Sequence, residues 1–433
     1  MKKIPALLSL CFLFFTSSGL AKTYDEQSYG YPLTNPFEST IASTPSVLHP
    51  QLPSYSAIDQ KDFTLRLLPE REEKLPAPFW AVKHLKYRVA KQKHAAPTIF
   101  IIAGTGSRYD TTTVEYLKRL FYGDGYNVIQ ISSPTSYDFM AAASSTATPG
   151  FTPQDSLDLY RVMQAISVQQ HGKLQTTDWY LTGYSLGALD AAFLSHIDET
   201  KQSFNFKKVL LLNPPVNLFT SVSNLDSLVD VQIKNENDKR NFYQIIFDKL
   251  TLYFKKRGNF NIDEAVIFDF QNSPERLDDN QMAMLIGSMF RFFSADISFT
   301  ADLINQRGLY TPADIRITNS TSLTPFFKKA LMCDFECYLE TQLLPFWKEK
   351  YQGNSLDELI HQTSLYAITD YLKTSNKIAV MHNADDPILG KGDLGYLRET
   401  FGDQRFFLYP YGGHCGNFDY IVNANDMLEF LRD

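Results

Sequence analysis

Asp178-Trp179-Tyr180-Leu181-Thr182-Gly183-Tyr184-Ser185-Leu186-Gly187-Ala188-Leu189 reads as strand, sharp turn, helix. Trp179 to Thr182 favour a strand, and the residues from Leu186 onward are rich in helix formers. The five residues at the junction, Gly183 to Gly187, form a G-x-S-x-G pattern. A nucleophile at the tip of a strained turn needs small residues two positions to either side, because the strand and helix backbones nearly touch there. Such a turn lifts the Ser185 hydroxyl clear of the sheet. It also sets the Leu186 N–H in the first turn of the helix, where developing negative charge is favoured. Glycines at this spacing also occur in plain strand-to-helix connections, so the reading depends on what the rest of the chain supplies.

Working outward, Pro97 to Ala103 is a near-continuous apolar run, as in a strand buried on both faces of a parallel sheet. Gly104-Thr105-Gly106-Ser107 follows, then a helix over about 111–122 that ends at Gly123-Asp124-Gly125. Residues 126–132 make the next buried strand. Thr152 as N-cap and Pro153 at the first helical position open a long helix to about Gln170. Residues 208–213 are a further buried strand. Ahead of these, residues 63–68 and 80–89 read as strands, with Trp80 and Val82 out of register in the second, as at a bulge. Strand and helix alternate, so the fold class is α/β: a mostly parallel central sheet with helices on both faces.

The alternation stops over 216–375. That stretch reads as a large helical cap insertion rich in aromatics, among them Phe242, Tyr243, Phe247, Tyr253, Phe254, Phe290, Phe292, Phe293, Phe326, Phe327, Phe346 and Trp347. Most of these are expected in the cap's own core, with some facing the site, since the insertion leaves and re-enters at strand ends. The alternation resumes over 376–433. Lys377 to Met381 is a strand, Asn383-Ala384-Asp385-Asp386-Pro387 its following loop, and residues 391–401 a helix. Residues 405–409 are a strand, Gly412-Gly413-His414 its loop, and residues 418–431 a closing amphipathic helix.

A serine hydroxyl attacks carbonyl carbon only when a base takes its proton, and a carboxylate holds that base in one tautomer. Of the eight histidines, His414 alone sits in a glycine-flanked loop at a strand end. His49, His84, His94, His171, His196 and His361 read as surface or packing residues, and His382 as part of the strand before the acid loop. Asp386 is the expected acid and Asp385 the alternative. Their order, Ser185 then Asp then His414, is that of the α/β-hydrolases. The oxyanion is assigned to the backbone N–H groups of Leu186 and Thr105.

With these residues the chain resembles the α/β-hydrolase superfamily over about 80–215 and 376–433. The acid loop and the Gly412-Gly413-His414-Cys415-Gly416 loop are similar to those of a bacterial esterase branch with plant relatives. Ala103 stands where many members carry the His of an H-G-x-G motif. The resemblance implies a serine hydrolase, most simply a carboxylic ester hydrolase working through an acyl-enzyme. Peptidase or acyltransferase chemistry on the same scaffold, or a non-catalytic binding protein with this fold, are the alternatives. No cofactor or metal is implied, and the substrate is expected to be a small or lipid-like acyl compound.

Composition fits this. The 433-residue chain is 44% hydrophobic and 14% aromatic, enough for a large core and an apolar cavity. Lys2 and Lys3, an apolar run over 7–15 and small residues up to Ala21 read as a cleavable bacterial-style signal peptide over 1–21. The product is therefore expected in the periplasm or secreted, with no stable membrane anchor. The formal charge of −7 becomes more negative once Lys2 and Lys3 are removed, which argues against nucleic acid as a partner. Residues 22–60, punctuated by prolines, read as an extended N-terminal arm, and 61–215 as the first part of the hydrolase core. Beyond the leader there are three cysteines. Cys333 and Cys337 can pair in an oxidising compartment, under strain if an intact helix joins them, leaving Cys415 free. The oligomeric state is left open.

Overall fold

Ile99-Phe100-Ile101-Ile102 has no polar residue to turn toward water, and the strand it forms is buried on both faces. In the computed structural model, which describes residues 22–42, 44–231, 276–312, 314–315 and 317–432, this strand is β3 (Ala96–Ile102) of an eight-stranded sheet. The others are β1 (Gln60–Leu65), β2 (Leu85–Ala90), β4 (Asn127–Ile131), β5 (Thr176–Tyr184), β6 (Lys208–Leu212), β7 (Ile378–Asn383) and β8 (Phe406–Tyr409). Their order across the sheet is β1-β2-β4-β3-β5-β6-β7-β8. β2 runs antiparallel to β1 and β4, and every other pairing is parallel. Alternate residues of β3 serve different cores. Phe100 and Ile102 pack with the helices Thr152–Gln170 and Leu186–Lys201, whereas Ile99 and Ile101 pack with Thr112–Gly123 and Ile421–Arg432. The expected 1–21 leader lies outside the described residues.

Three local readings differ from expectation. Trp80 and Val82 belong to no strand: Pro76 and Pro78 set up a short 3-10 helix over Ala77–Val82, and β2 begins only at Leu85. Thr152 is the first residue of its helix rather than the cap, and its hydroxyl donates to the Thr363 carbonyl of the insertion. The arm over 22–60 is not extended along the surface. It folds into the helices Glu26–Tyr29 and Pro36–Ala42 and buries Tyr29, Tyr31, Leu33 and Ala42 in the core shared with β8 and the closing helix.

Between β6 and β7 the described residues contain no strand, and the longest helix is Asp279–Asn305. By length and composition this helix could cross a membrane, but 67% of its most apolar window is buried inside the protein. It packs on the arm helix Pro36–Ala42 and on Leu218–Ser227. Phe242, Tyr243, Phe247, Tyr253 and Phe254 lie outside the described residues. Trp347 is wholly buried, whereas Phe290 and Phe293 face the site described below. Cys333 and Cys337 form a disulfide with Cα atoms 5.2 Å apart. No intact helix joins them, because the helix Phe335–Tyr338 starts after Cys333 with Asp334 as its cap. Cys415 is free.

The interface between the helices Thr152–Gln170 and Leu186–Lys201 holds two buried acids, Asp155 and Asp190. Burial raises the Asp190 carboxyl to about 8. One of its oxygens has no partner among the described residues. The fold therefore holds a proton that the unfolded chain, near 3.8, releases, and stability drains away as pH rises from about 4 to about 8. Asp190→Asn is expected to weaken that dependence, since burial raises Asp155 beside it as well, and to raise the melting temperature at pH 8 by about 2–6 °C, with little gain at pH 4. Thermal melts of both proteins across this range check it.

Candidate active site

β5 ends at Tyr184, and Ser185 turns the chain with φ 53° and ψ −126° before the helix Leu186–Lys201 begins. A positive φ costs a non-glycine residue about 1–3 kcal/mol and persists only where the surroundings enforce it. The enforcement is visible. The Ser185 N–H donates to the Leu212 carbonyl at the end of β6. A methyl group on Gly183 would land in the backbone of Gly187, and one on Gly187 would land in the carbonyls of Ile102 and Ala103. The glycine spacing thus answers a true backbone contact between β3, β5 and the helix.

The Ser185 Oγ lies 2.9 Å from His414 Nε2. On its other side the imidazole meets Asp386, with Nδ1 2.9 Å from Oδ2 and 3.2 Å from Oδ1. The serine comes from the end of β5, the acid from the loop after β7 and the histidine from the loop after β8, all at the carboxyl edge of the sheet. Strand order, sharp turn and this arrangement are now together. The fold is that of the α/β-hydrolases.

No family model matches the chain, and no curated protein does. Solved structures with a similar outline include a thioesterase domain from the curacin biosynthetic pathway, at 11% identity and TM-score 0.38, covering 86% of this chain and 99% of that one. An esterase of Pyrococcus furiosus aligns at 11% identity and TM-score 0.41, covering 93% and 98%. A fungal esterase from Rhizomucor miehei aligns at 12% and 0.41, covering 88% and 85%. No residue role is carried over from them.

Asp386 is buried, and burial alone would raise its carboxyl. The His414 ring, His382 and the amide of Asn213, which donates to Oδ2 at 2.8 Å, outweigh that and hold it below the usual carboxylate range. The Ile388 N–H donates to Oδ1 at 3.0 Å. Burial disfavours the charged imidazole of His414, but the facing Asp386 carboxylate prevails and holds it well above the ordinary histidine value. His382 sits on β7, buried, with Nε2 3.1 Å from the Pro214 carbonyl; burial pushes its ring down.

Asp385 does not reach the imidazole. Its carboxylate accepts the N–H of Gly413 at 2.9 Å and of Gly412 at 3.3 Å, so it ties down the histidine loop. Burial raises it to about 6 despite these bonds. The two neighbouring acids thus separate by role. Asp386→Asn is expected to lower kcat by about 10⁴-fold, and Asp385→Asn by about tenfold through a looser loop. Steady-state ester kinetics with both variants test the distinction.

The histidine loop rests on the arm. The His414 N–H donates to Thr40 Oγ1 at 2.9 Å, and that hydroxyl donates to the Pro36 carbonyl at 2.6 Å. The Tyr31 hydroxyl donates to the Gly416 carbonyl at 2.8 Å. Gly413, at φ 53°, lies so close to the Pro36 carbonyl that no side chain fits. Asn383 and Asn417 exchange amide bonds beneath, and Asn417 also donates to the Tyr29 hydroxyl. None of these partners was identified from sequence. Asn213, at the carboxyl end of β6, had a readable signal in its position; Thr40 had none.

Thr105 follows β3 and Leu186 opens the helix Leu186–Lys201. Among the described residues neither N–H is taken up by a protein acceptor. The loop after β3 is braced by the Gly106 N–H, which donates to Thr135 Oγ1 at 2.8 Å. Above Ser185 lies an apolar cavity of about 460 Å³, whose walls include Ile41 of the arm and Met289, Phe290 and Phe293 of the cap. Among the described residues no group of three or more His, Cys, Asp and Glu side chains converges so as to hold a metal ion.

Proposed function

We propose that the protein is an exported serine hydrolase that cleaves carboxylic esters through Ser185, His414 and Asp386. The single observation that carries this reading is the unbroken chain of hydrogen bonds from the Ser185 hydroxyl through both ring nitrogens of His414 to a buried carboxylate. In the first half-reaction His414 takes the Ser185 proton as Oγ bonds to the acyl carbon. The Thr105 and Leu186 N–H groups receive the oxyanion; loss of one such donor costs about 10²–10³ in rate. As the carbon–oxygen bond to the alcohol breaks, His414 passes its proton to the departing oxygen. Water then repeats the sequence on the acyl-enzyme and frees the acid. Asp386 stays ionised and steadies the imidazolium, in keeping with its depressed proton affinity. The apolar walls of the cavity favour a lipid-like or otherwise apolar substrate. The Cys333–Cys337 disulfide agrees with an oxidising periplasmic or extracellular home.

A fluorophosphonate probe, followed by peptide mapping, tests the reading. Ser185 of the folded protein is expected to be labelled, and p-nitrophenyl esters to be turned over. Folded protein that neither labels nor hydrolyses any ester speaks for a non-catalytic role. Turnover of peptide anilides in preference to esters speaks for a peptidase.

A further inference from the structure

Beside the cavity over Ser185 there is a second, smaller one of about 50 Å³. It lies past the Thr105 and Leu186 turn and runs between Leu218, Val222, Ile297 and Phe335. Two of its polar wall groups are engaged elsewhere: the Tyr338 hydroxyl donates to the Pro149 carbonyl, and Thr135 Oγ1 accepts the Gly106 N–H. The compartment therefore presents carbon to its contents. Phe290 of the helix Asp279–Asn305 and Thr105 line both cavities and stand where the two meet.

The chemistry assigns one end of an ester to each side. The leaving oxygen must lie beside His414 Nε2, because that nitrogen protonates it. His414 lines the outer cavity and not the inner one. The carbonyl oxygen points at the Thr105 and Leu186 N–H groups. The acyl substituent is left with the remaining direction from the tetrahedral carbon, toward the inner compartment that Thr105 and Leu186 themselves wall. A space of about 50 Å³ holds roughly four water-sized atoms.

We infer that the inner compartment is the acyl site, that Phe290, as the wall it shares with the outer cavity, limits the acyl length it takes, and that the substrates are short-chain acyl esters, of about two to four acyl carbons, of a bulkier apolar alcohol seated in the outer cavity. This rests on the acyl-transfer reading of Ser185, His414 and Asp386. The bonds made and broken are those already given: Oγ–C forms, C–O to the alcohol breaks, and the Ser185 proton ends on the alcohol.

The experiment measures kcat/KM for p-nitrophenyl acetate, butyrate, octanoate and palmitate with the parent, Phe290→Ala, Phe290→Leu and Val222→Phe, each first titrated with the fluorophosphonate probe. The parent is expected to favour acetate or butyrate over octanoate by about tenfold or more, since methylenes beyond what the compartment holds must force its walls apart. Phe290→Ala is expected to raise octanoate relative to butyrate by about tenfold, and Phe290→Leu by less. Val222→Phe, which fills the compartment, is expected to depress butyrate relative to acetate. Phe290→Leu and Val222→Phe keep the test decisive if the alanine variant does not fold. A parent that prefers octanoate or palmitate overturns the proposal, as does an unchanged profile in variants that still label at Ser185. Absence of labelling and of all ester turnover in the parent overturns the acyl-transfer reading itself, and the assignment with it.

Discussion

Ser185→Ala is expected to lower ester turnover by about 10⁵-fold or more, with fluorophosphonate labelling lost and the unfolding midpoint little changed. The size of the effect follows from the hydroxyl's place at one end of the hydrogen-bonded chain through His414 to Asp386. Groups that act as one unit lose nearly everything when any member goes. The unchanged midpoint follows from the backbone: alanine inherits the same left-handed conformation, φ 53°, with the same cost. Ser185→Gly separates the two contributions. It is expected to be as inactive as the alanine variant, yet more stable by about 1 kcal/mol, because glycine adopts that conformation without strain. Kinetics together with urea denaturation give both readouts. An alanine variant retaining even a hundredth of parental turnover would remove Ser185 from the chemistry.

Gly187→Ala is expected to have the largest effect on the fold: a loss of about 4 kcal/mol or more, or no folded protein at all. The added methyl would meet two carbonyls of the β3 edge, those of Ile102 and Ala103, and not the movable end of a side chain. Relief requires β3 to part from the nucleophile helix. The loop after β3 carries Thr105, so surviving molecules should also show a depressed kcat. Ala188→Gly, one residue along the same helix, loses a buried methyl as well as helix propensity, costs about 2 kcal/mol and serves as the control. Denaturant midpoints for both variants provide the comparison.

The sheet and the three interacting side chains were readable because each is announced within a few residues. The unbroken apolar run at Ile99–Ile102, closed by Gly104-Thr105-Gly106, fits a strand covered on both faces. The paired glycines at 183 and 187 and the two ahead of His414 mark places where backbones touch or bend sharply. The Asp385–Asp386 doublet was harder, since both occupy the right loop. What separates them is which carboxylate meets the imidazole and which meets the Gly412 and Gly413 N–H groups, a distinction of angle that composition does not encode. The arm was misjudged for a related reason. Its prolines and polar residues are those of a surface segment, and its tyrosines find their partners only across nearly the whole length of the chain, as in Tyr29 with Asn423 and Tyr31 with Gly416. The early start assigned to β2 came from giving Trp80 and Val82 strand propensity without weighing Pro76 and Pro78.

That arm has a consequence for the nascent protein. Thr40 and Tyr31 leave the ribosome 374 and 385 residues before the backbone groups they hold, at His414 and Gly416. Neither side has its partner in the interval. Contacts this remote in sequence form late and slowly. The histidine loop is therefore fully held only once the arm has closed on it. A chain that stops short of His414 carries Ser185 in its turn yet lacks the imidazole that meets it.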